Sequence, residues 1–177
     1  MTDPRLPVLQ GDCARCDGLC CMALALDKGP KFACDKPAGI ACVNLNADYG
    51  CAIHDTRVQA GYSGCLDYDC LGAGQVVCTE VLPDVSWRDS DKARGRVIEA
   101  FRIQREVHRL IDLLRLAGDL PLNAAQQAAR GDLLDALLPP EGWSEAAQLR
   151  FDSGDVPKRV ATFLTSLREV ARGRRLP

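Results

Sequence analysis

All the cysteines of this chain lie in its first half. The sequence has 177 residues and ten cysteines, and the last of them is Cys78. The segment Met1–Pro7 has no charged-then-apolar export signal, and no stretch approaches the roughly 18 consecutive apolar residues of a membrane span. We therefore expect a cytoplasmic protein without membrane association. Because reducing cytosol disfavours structural disulfides, the thiols are expected to serve metal binding or thiol chemistry.

Charge excludes one common class of partner. Lysine and arginine number 22 against 24 acidic side chains, which gives a formal net charge of −2. Binding to nucleic acid or to an anionic membrane usually needs a basic surface. We therefore expect no nucleic-acid partner.

The sequence changes character near residue 88. Residues 1–88 are rich in Cys, Gly, Asp and Pro, show no sustained helical or alternating period, and contain five aromatic residues. Such a region buries little apolar area, so metal–thiolate bonds are expected to fix its loops. From residue 89 to 177 the apolar residues recur at three- and four-residue steps. We predict a mainly α protein in which an irregular, cysteine-rich metal-binding region (1–88) packs on a small helical bundle (89–177).

Four helices are predicted in the second region. The first begins after Asp89 and Ser90 and ends at Gly118, and the second runs from about Asn123 to Leu138. A short third helix follows Ser144, and a fourth begins near Asp155 with Pro157 in its first turn and continues past Val170.

The first group of cysteines has the spacing of metal ligands. Cys13 and Cys16 are separated by two residues, a spacing at which one tight turn directs two sulfurs to one metal. On a helix, Cys20 would lie on the same face as this pair, whereas Cys21 would point away. Cys21 is therefore expected to bind a second metal, to take another backbone conformation or to be a buried thiol.

The second group supplies four more thiols and one imidazole: Cys42, Cys51, His54, Cys65 and Cys70. Thiolates brought together without a cation would repel one another, whereas a zinc ion or an iron–sulfur core favours their deprotonated form. Two other interpretations remain open at this point, namely that the cysteines are small buried apolar residues or that they form a disulfide scaffold.

The order of these motifs resembles a known family. The pattern Cys13-x2-Cys16-x3-Cys20-Cys21, Cys42-x2-Leu45, Cys51-x-Ile53-His54-x2-Arg57 and Cys65-x2-Tyr68-Asp69-Cys70 is similar to the YkgJ-type cysteine-cluster family, whose domain is described as zinc- or iron-chelating. The resemblance implies eight metal ligands, which are Cys13, Cys16, Cys20, Cys21, Cys42, Cys51, Cys65 and Cys70. Cys34 and Cys78 are then extra. A longer stretch, through Gly72–Gln75 and Val107–Leu114, resembles the N-terminal region of certain bacterial pentapeptide-repeat proteins.

Spacing alone does not separate the metals that eight thiolates can bind. Two four-cysteine zinc sites and iron–sulfur clusters of the 4Fe-4S type both fit the number, and copper(I) also favours soft thiolates. We favour iron–sulfur, because an irregular, glycine-rich wrapping suits a bulky cluster. Arg57 is expected to donate to a sulfur or to a negatively charged cluster. His54 is a candidate ligand, a candidate donor to a sulfur, or a loop residue.

Three functions follow as hypotheses. The first is an iron–sulfur protein with a redox or accessory role and an unidentified redox or protein partner. The second is a protein-interaction module in which zinc stabilises the fold. The third is a modifying enzyme, because similar cysteine-cluster segments occur in some protein-lysine methylases.

Overall fold

The protein is mainly helical, with an irregular N-terminal region. The computed structural model describes residues 6–173, and within that range it contains α-helices, short 3₁₀ and π turns and isolated β-bridges, but no β-strand. The α-helices are α1 (Leu19–Ala23), α2 (Gly64–Asp67), α3 (Ala73–Val76), α4 (Asp91–Ala117), α5 (Ala124–Leu137), α6 (Glu145–Asp152), α7 (Val156–Ser166) and α8 (Arg168–Gly173). The predicted fold class is thereby confirmed.

Polar side chains begin the long helices where the sequence predicts. The Ser90 hydroxyl accepts the N–H of Ala93 at the start of α4, and Asn123 forms a reciprocal capping box with Gln126 at the start of α5. Ser144 accepts the N–H of Ala147 at the start of α6. Each cap satisfies an N–H that has no partner within its own helix.

The apolar face predicted for α4 is buried. Its buried residues include Val97, Phe101, Val107, Leu110, Ile111 and Leu114. His108, on the same helix, is also buried. Their spacing by three and four residues places them on one side of the helix, as the sequence predicts.

The predicted fourth helix is two helices in the structure. Helix α7 ends at Ser166 and α8 begins at Arg168. The Ser166 hydroxyl donates to the Phe163 carbonyl at 2.6 Å, and the Leu167 N–H donates to the Leu164 carbonyl at 3.2 Å. A serine that competes for backbone carbonyls in this way interrupts the regular helical pattern. The prediction of one continuous helix was wrong here.

Contacts divide the chain within α4. One unit comprises Val8–Arg105, and among the described residues the other comprises 6–7 and 106–173. The composition change near residue 88 lies earlier than this division. Within the described range, no helix is both long enough and apolar enough to cross a membrane.

The Val8–Arg105 unit is organised by short elements and by hydrogen bonds between distant segments. Gln75 accepts the Asp12 N–H at 2.8 Å and donates to the Gln10 carbonyl at 3.0 Å, and Trp87 donates its indole N–H to the Asp17 carbonyl at 2.8 Å. These bonds span 63 to 70 residues of sequence. They connect the first cysteine segment to the chain that follows the last predicted ligand.

Candidate metal centre

The first four cysteines lie on a turn, an extended residue and a short helix. Cys13 begins a 3₁₀ turn, Cys16 is extended, and Gly18 has a φ of +65° at the start of α1, which carries Cys20 and Cys21. A left-handed glycine breaks a helix, so Cys13, Cys16 and Cys20 do not share one helical face. The side chain of Leu45 occupies the space beside Gly18, where an added Cβ would lie 2.7 Å from Leu45 Cδ1.

The sulfurs of this segment nevertheless lie close together. The Sγ atoms of Cys20 and Cys21 are 4.0 Å apart. Burial raises the pKa of Cys13, and the charges of Cys20, Cys16 and Cys70 raise it further. Hydrogen bonding with Cys21 and then burial raise the pKa of Cys20. Tertiary contacts thus bring together thiols that no single helix would align.

The second group of cysteines approaches the same place. The Cys42 N–H donates to the Cys21 carbonyl at 3.0 Å, and a β-bridge pairs Leu45 with Cys51. Burial raises the pKa of Cys65, and so do the charges of Cys20, Cys42 and Cys51. The charge of Cys20 thus raises the pKa of thiols in both groups, namely Cys13, Cys65 and Cys70. We refer to the eight predicted ligands as the cysteine cluster.

Backbone N–H groups point at two of these sulfurs. Cys16 receives hydrogen bonds from the backbone of Leu19 and Gly18, and Cys70 receives them from Gly74 and Gly72. Such bonds favour the charged thiolate and lower its pKa. For Cys70, burial outweighs them and the net pKa is raised. At both residues the backbone N–H groups therefore oppose the effect of burial on the thiol pKa.

All ten cysteines are free thiols in the structure. Across residues 6–173, no three Cys, His, Asp or Glu side chains already form a group that could hold a metal ion. The fit to a metal therefore rests on the donor set and on the neighbouring N–H groups.

Arg57 lies near thiols of both groups. Its charge lowers the pKa of Cys13 and of Cys65, opposing the effect of burial on each. Its Nε is buried and has no hydrogen-bond partner among the described residues. A buried N–H without a partner costs about 1–3 kcal/mol. This donor is available to a sulfur or to an anionic group in the cluster.

His54 is on the surface. Its side chain is 53% exposed, and Nδ1 lies 3.0 Å from the Asp55 carboxylate. These surroundings favour the interpretation of His54 as a loop residue over that of a ligand.

Tyr68 is a second buried donor that sequence analysis did not single out for a role. Its hydroxyl has no hydrogen-bond partner in the described part of the chain. Burial raises its pKa, Arg105 lowers it, and Cys70 and Cys20 raise it. The Arg105 guanidinium lies 5.5 Å from the ring centroid. Tyr68 is thus held beside the cysteine cluster with its hydroxyl buried.

Lys36 was also missed, because a lone lysine in a loop predicts nothing. It is only 6% exposed, and its ammonium donates to the carbonyls of Met22, Leu24, Pro37 and Ile40. Burial lowers its pKa, whereas Cys42, Cys21, Cys20 and Cys34 raise it. Lys36 therefore connects the end of α1 to the segment that leads into Cys42, and it places a positive charge near four thiols.

The two extra cysteines have different neighbours. Cys34 Sγ lies 3.2 Å from the Tyr62 hydroxyl. Cys78 Sγ accepts the N–H of Asp17 at 3.3 Å, next to Cys16. Only Cys78 is thus held against a residue adjoining a predicted ligand.

The two acidic residues that flank Tyr68 have different surroundings. Asp67 makes an exposed ion pair with Lys31, whereas Asp69 Oδ1 accepts the N–H groups of Gly11 and Leu71. Asp69 therefore shapes the backbone beside Cys70.

Fold and site define a mainly helical, cysteine-rich protein. Over 103 residues, or 58% of the chain, it is 38% identical to the uncharacterized protein YybG of Bacillus subtilis (strain 168). The match covers 37% of that protein, so the chain spans little more than a third of its relative's length. No protein-family model matches the chain, and no solved structure matches it.

Proposed function

We propose that this protein binds one or two metal centres through the eight thiolates of the cysteine cluster, and that each centre is an iron–sulfur cluster of the 4Fe-4S type with a redox or accessory role. The observation that carries the proposal is the approach of cysteines from separate segments. The Cys42 N–H donates to the Cys21 carbonyl at 3.0 Å, and a Cβ added to Gly74 would lie 2.7 Å from Cys16 Sγ and 3.8 Å from Cys70 Sγ. The motif order that resembles the YkgJ-type family supports the same ligands. YybG, being uncharacterized, contributes no function.

Electrostatics give the physical reason for a metal. Burial and neighbouring thiols raise the pKa of Cys13, Cys65 and Cys70, so each isolated thiolate is unfavourable. A bound cation reverses this balance and releases the thiol protons. The N–H groups directed at Cys16 and Cys70 would then stabilise metal-bound thiolates.

The buried donors favour iron–sulfur over zinc. Arg57 Nε and Tyr68 Oη lack partners among the described residues, and both side chains interact electrostatically with members of the cysteine cluster. An iron–sulfur cluster carries inorganic sulfides that accept hydrogen bonds, and its potential depends on such bonds. A zinc ion enclosed by four thiolates adds no acceptor of its own. Arg57 and Tyr68 are therefore proposed to donate hydrogen bonds to the sulfides of the iron–sulfur cluster or to its cysteine ligands.

Anaerobic purification tests this proposal. We expect a coloured protein that contains iron and acid-labile sulfide and whose visible absorption decreases on reduction. The Arg57→Gln and Tyr68→Phe variants should keep the iron but shift the reduction potential, since each removes a donor. Colourless protein without iron would contradict the assignment.

A zinc-stabilised interaction module is the second candidate. Two thiolates of a tetrahedral zinc site with Zn–S bonds near 2.3 Å lie about 3.8 Å apart, and Cys20 and Cys21 are separated by 4.0 Å. Stoichiometric zinc in colourless protein, together with loss of structure in residues 8–105 on chelation, would select this function instead.

A further inference from the structure

The segment that precedes the first cysteine lies directly on the turn that begins α3. Gly72 in this turn has a φ of +81°, and a Cβ added to it would lie 2.6 Å from the Val8 carbonyl oxygen and 3.3 Å from the Gln10 carbonyl oxygen. Two backbone segments approach so closely only where one of them has no side chain. We refer to residues 8–12 as the strap.

Two side chains of the 69–75 segment bind the backbone of the strap. Gln75 accepts the Asp12 N–H at 2.8 Å and donates to the Gln10 carbonyl at 3.0 Å. Asp69 accepts the Gly11 N–H at 3.1 Å. The Gln75 side chain is buried, so one buried amide supplies two of these three bonds.

The strap covers one side of a pair of sulfurs. A Cβ added to Gly11 would lie 3.5 Å from Cys70 Sγ, and one added to Gly74 would lie 3.8 Å from the same sulfur. Cys70 Sγ therefore contacts both the strap and α3. The Cys16 sulfur lies 2.7 Å from the same position at Gly74. While the strap is in place, it blocks approach to Cys70 from its own side.

The strap is largely exposed to solvent, whereas the residues beneath it are buried. Val8, Gln10 and Gly11 are exposed, and Gly72 and Gln75 are buried. Segments with few buried apolar contacts and solvent-exposed backbone hydrogen bonds open locally at a lower free-energy cost than global unfolding. The strap has both properties, since the Gly11 N–H bond to Asp69 is exposed.

We propose that the strap is a cover that opens locally to give an incoming metal centre access to the sulfurs of Cys16 and Cys70, and that Gln75 and Asp69 hold it closed. The inference rests on the proposed function for what enters. The movement itself belongs to the metal-free chain and can be measured there.

Opening of the strap also affects the turn that carries Cys13. The Asp12 carboxylate accepts the Ala14 N–H at 3.1 Å, and the Arg15 N–H donates to the Asp12 carbonyl at 3.2 Å. Asp12 is itself held by Gln75. Release of the strap therefore frees this turn at its first residue.

Alkylation of the metal-free chain tests the cover. Reduced protein is treated anaerobically with N-ethylmaleimide, and the rate at each cysteine is followed by peptide mass spectrometry. Gln75→Met removes both amide hydrogen bonds at similar side-chain volume, so we expect Cys70 to react at least about tenfold faster than in the wild type. Cys34, whose sulfur contacts the Tyr62 hydroxyl, should react at an unchanged rate.

Thr79→Val is the matched control on the same stretch of chain. It removes a hydroxyl that donates to the Gln75 carbonyl at 2.8 Å and leaves the Gln75 amide in place, so Cys70 should react at the wild-type rate. An equal rise at Cys70 and Cys34 in Gln75→Met would mean that Gln75 stabilises the whole unit rather than the strap, and it would overturn the proposal. An unchanged rate at Cys70 would do the same.

Hydrogen exchange measures opening of the strap without reference to thiol ionisation. The Gly11 and Asp12 amides should exchange at least about tenfold faster in Gln75→Met than in the wild type. The Ala93 amide, which donates to Ser90 at the start of α4, should not change. Exchange of Gly11 and Asp12 in the wild type only through global unfolding would contradict local opening.

Cobalt uptake separates this inference from the proposed function. Absence of Co²⁺–thiolate absorption in wild-type protein would overturn metal binding and leave the alkylation and exchange results intact. Where Co²⁺ binds, its uptake should be faster in Gln75→Met than in Thr79→Val. Equal uptake rates would overturn the role of the strap in metal entry.

Discussion

At Gly74 the sulfur of Cys16 leaves no room for a side chain. This glycine lies in α3, where alanine would ordinarily be the better helix former. The contact of 2.7 Å that an added Cβ would make with Cys16 Sγ reverses this preference. The glycine is therefore explained by the sulfur beside it rather than by its own backbone.

Replacing Gly74 with alanine should displace Cys16. We expect Gly74→Ala to lower the free energy of unfolding by about 1–3 kcal/mol, as overpacking does, and to reduce metal uptake. The control is Gly131→Ala in α5, where nothing lies within 4 Å of an added Cβ. That variant should gain about 0.5–1 kcal/mol. Equal responses of the two variants in chemical denaturation would contradict the packing described for Gly74.

Lys36 offers a second test at a single position. Lys36→Met would leave four carbonyl groups without their ammonium donor, so we expect a loss of about 3 kcal/mol or more in the free energy of unfolding. Lys31→Met removes an exposed lysine paired with Asp67 and should cost less than about 1 kcal/mol. A Lys36→Met protein as stable as Lys31→Met would show that the buried ammonium is not required.

At the level of elements, the helices fall into two classes. Caps and apolar periodicity specify the longer helices, and tertiary contacts specify the shortest ones. Helices α4, α5 and α6 follow the caps Ser90, Asn123 and Ser144, as the sequence predicts. Helices α1, α2 and α3 have four or five residues each, too few to show a period. Their positions depend on distant bonds such as those of Gln75, which sequence periodicity does not report.

The same limit applies to the candidate site. The eight-thiol site stays a prediction, and the structure places Cys13, Cys16 and Cys20 on a turn, an extended residue and a short helix rather than on the one helical face that the spacing allowed. Lys36 and Tyr68 acquire their importance from burial alone.

The capping box of α5 can be tested separately from the metal centre. Asn123→Ala removes the acceptor for the Gln126 N–H, so we expect a loss of about 1 kcal/mol in thermal unfolding. Asp155 precedes α7 without forming a side-chain cap, and Asp155→Ala should cost less than about 0.5 kcal/mol. Neither variant should change metal content. Equal losses would mean that the capping bond contributes no more than the helix-end charge.

For the whole molecule, the raised thiol pKa values predict how the metal-free protein responds to alkali. Burial keeps Cys13, Cys65 and Cys70 protonated in the folded state to higher pH than in the unfolded chain. Their contribution is therefore constant below the ordinary thiol pKa of 9.0 and is lost as pH rises above it. Denaturation of metal-free protein should show a lower free energy of unfolding at pH 10 than at pH 7.

Serine variants provide the control for this pH dependence. Replacing Cys13, Cys65 and Cys70 together should flatten the decline above pH 9, because serine does not titrate there. An unchanged slope would assign the alkaline loss to other groups.

X-ray absorption at the metal K edge tests the central claim most directly, because it reports which atoms bind the metal. For anaerobically purified protein we predict a first coordination shell of sulfur alone, four sulfurs per metal, with an additional iron–iron distance if the centre is an iron–sulfur cluster. A first shell dominated by nitrogen or oxygen, or the absence of a stoichiometric metal, would contradict the account.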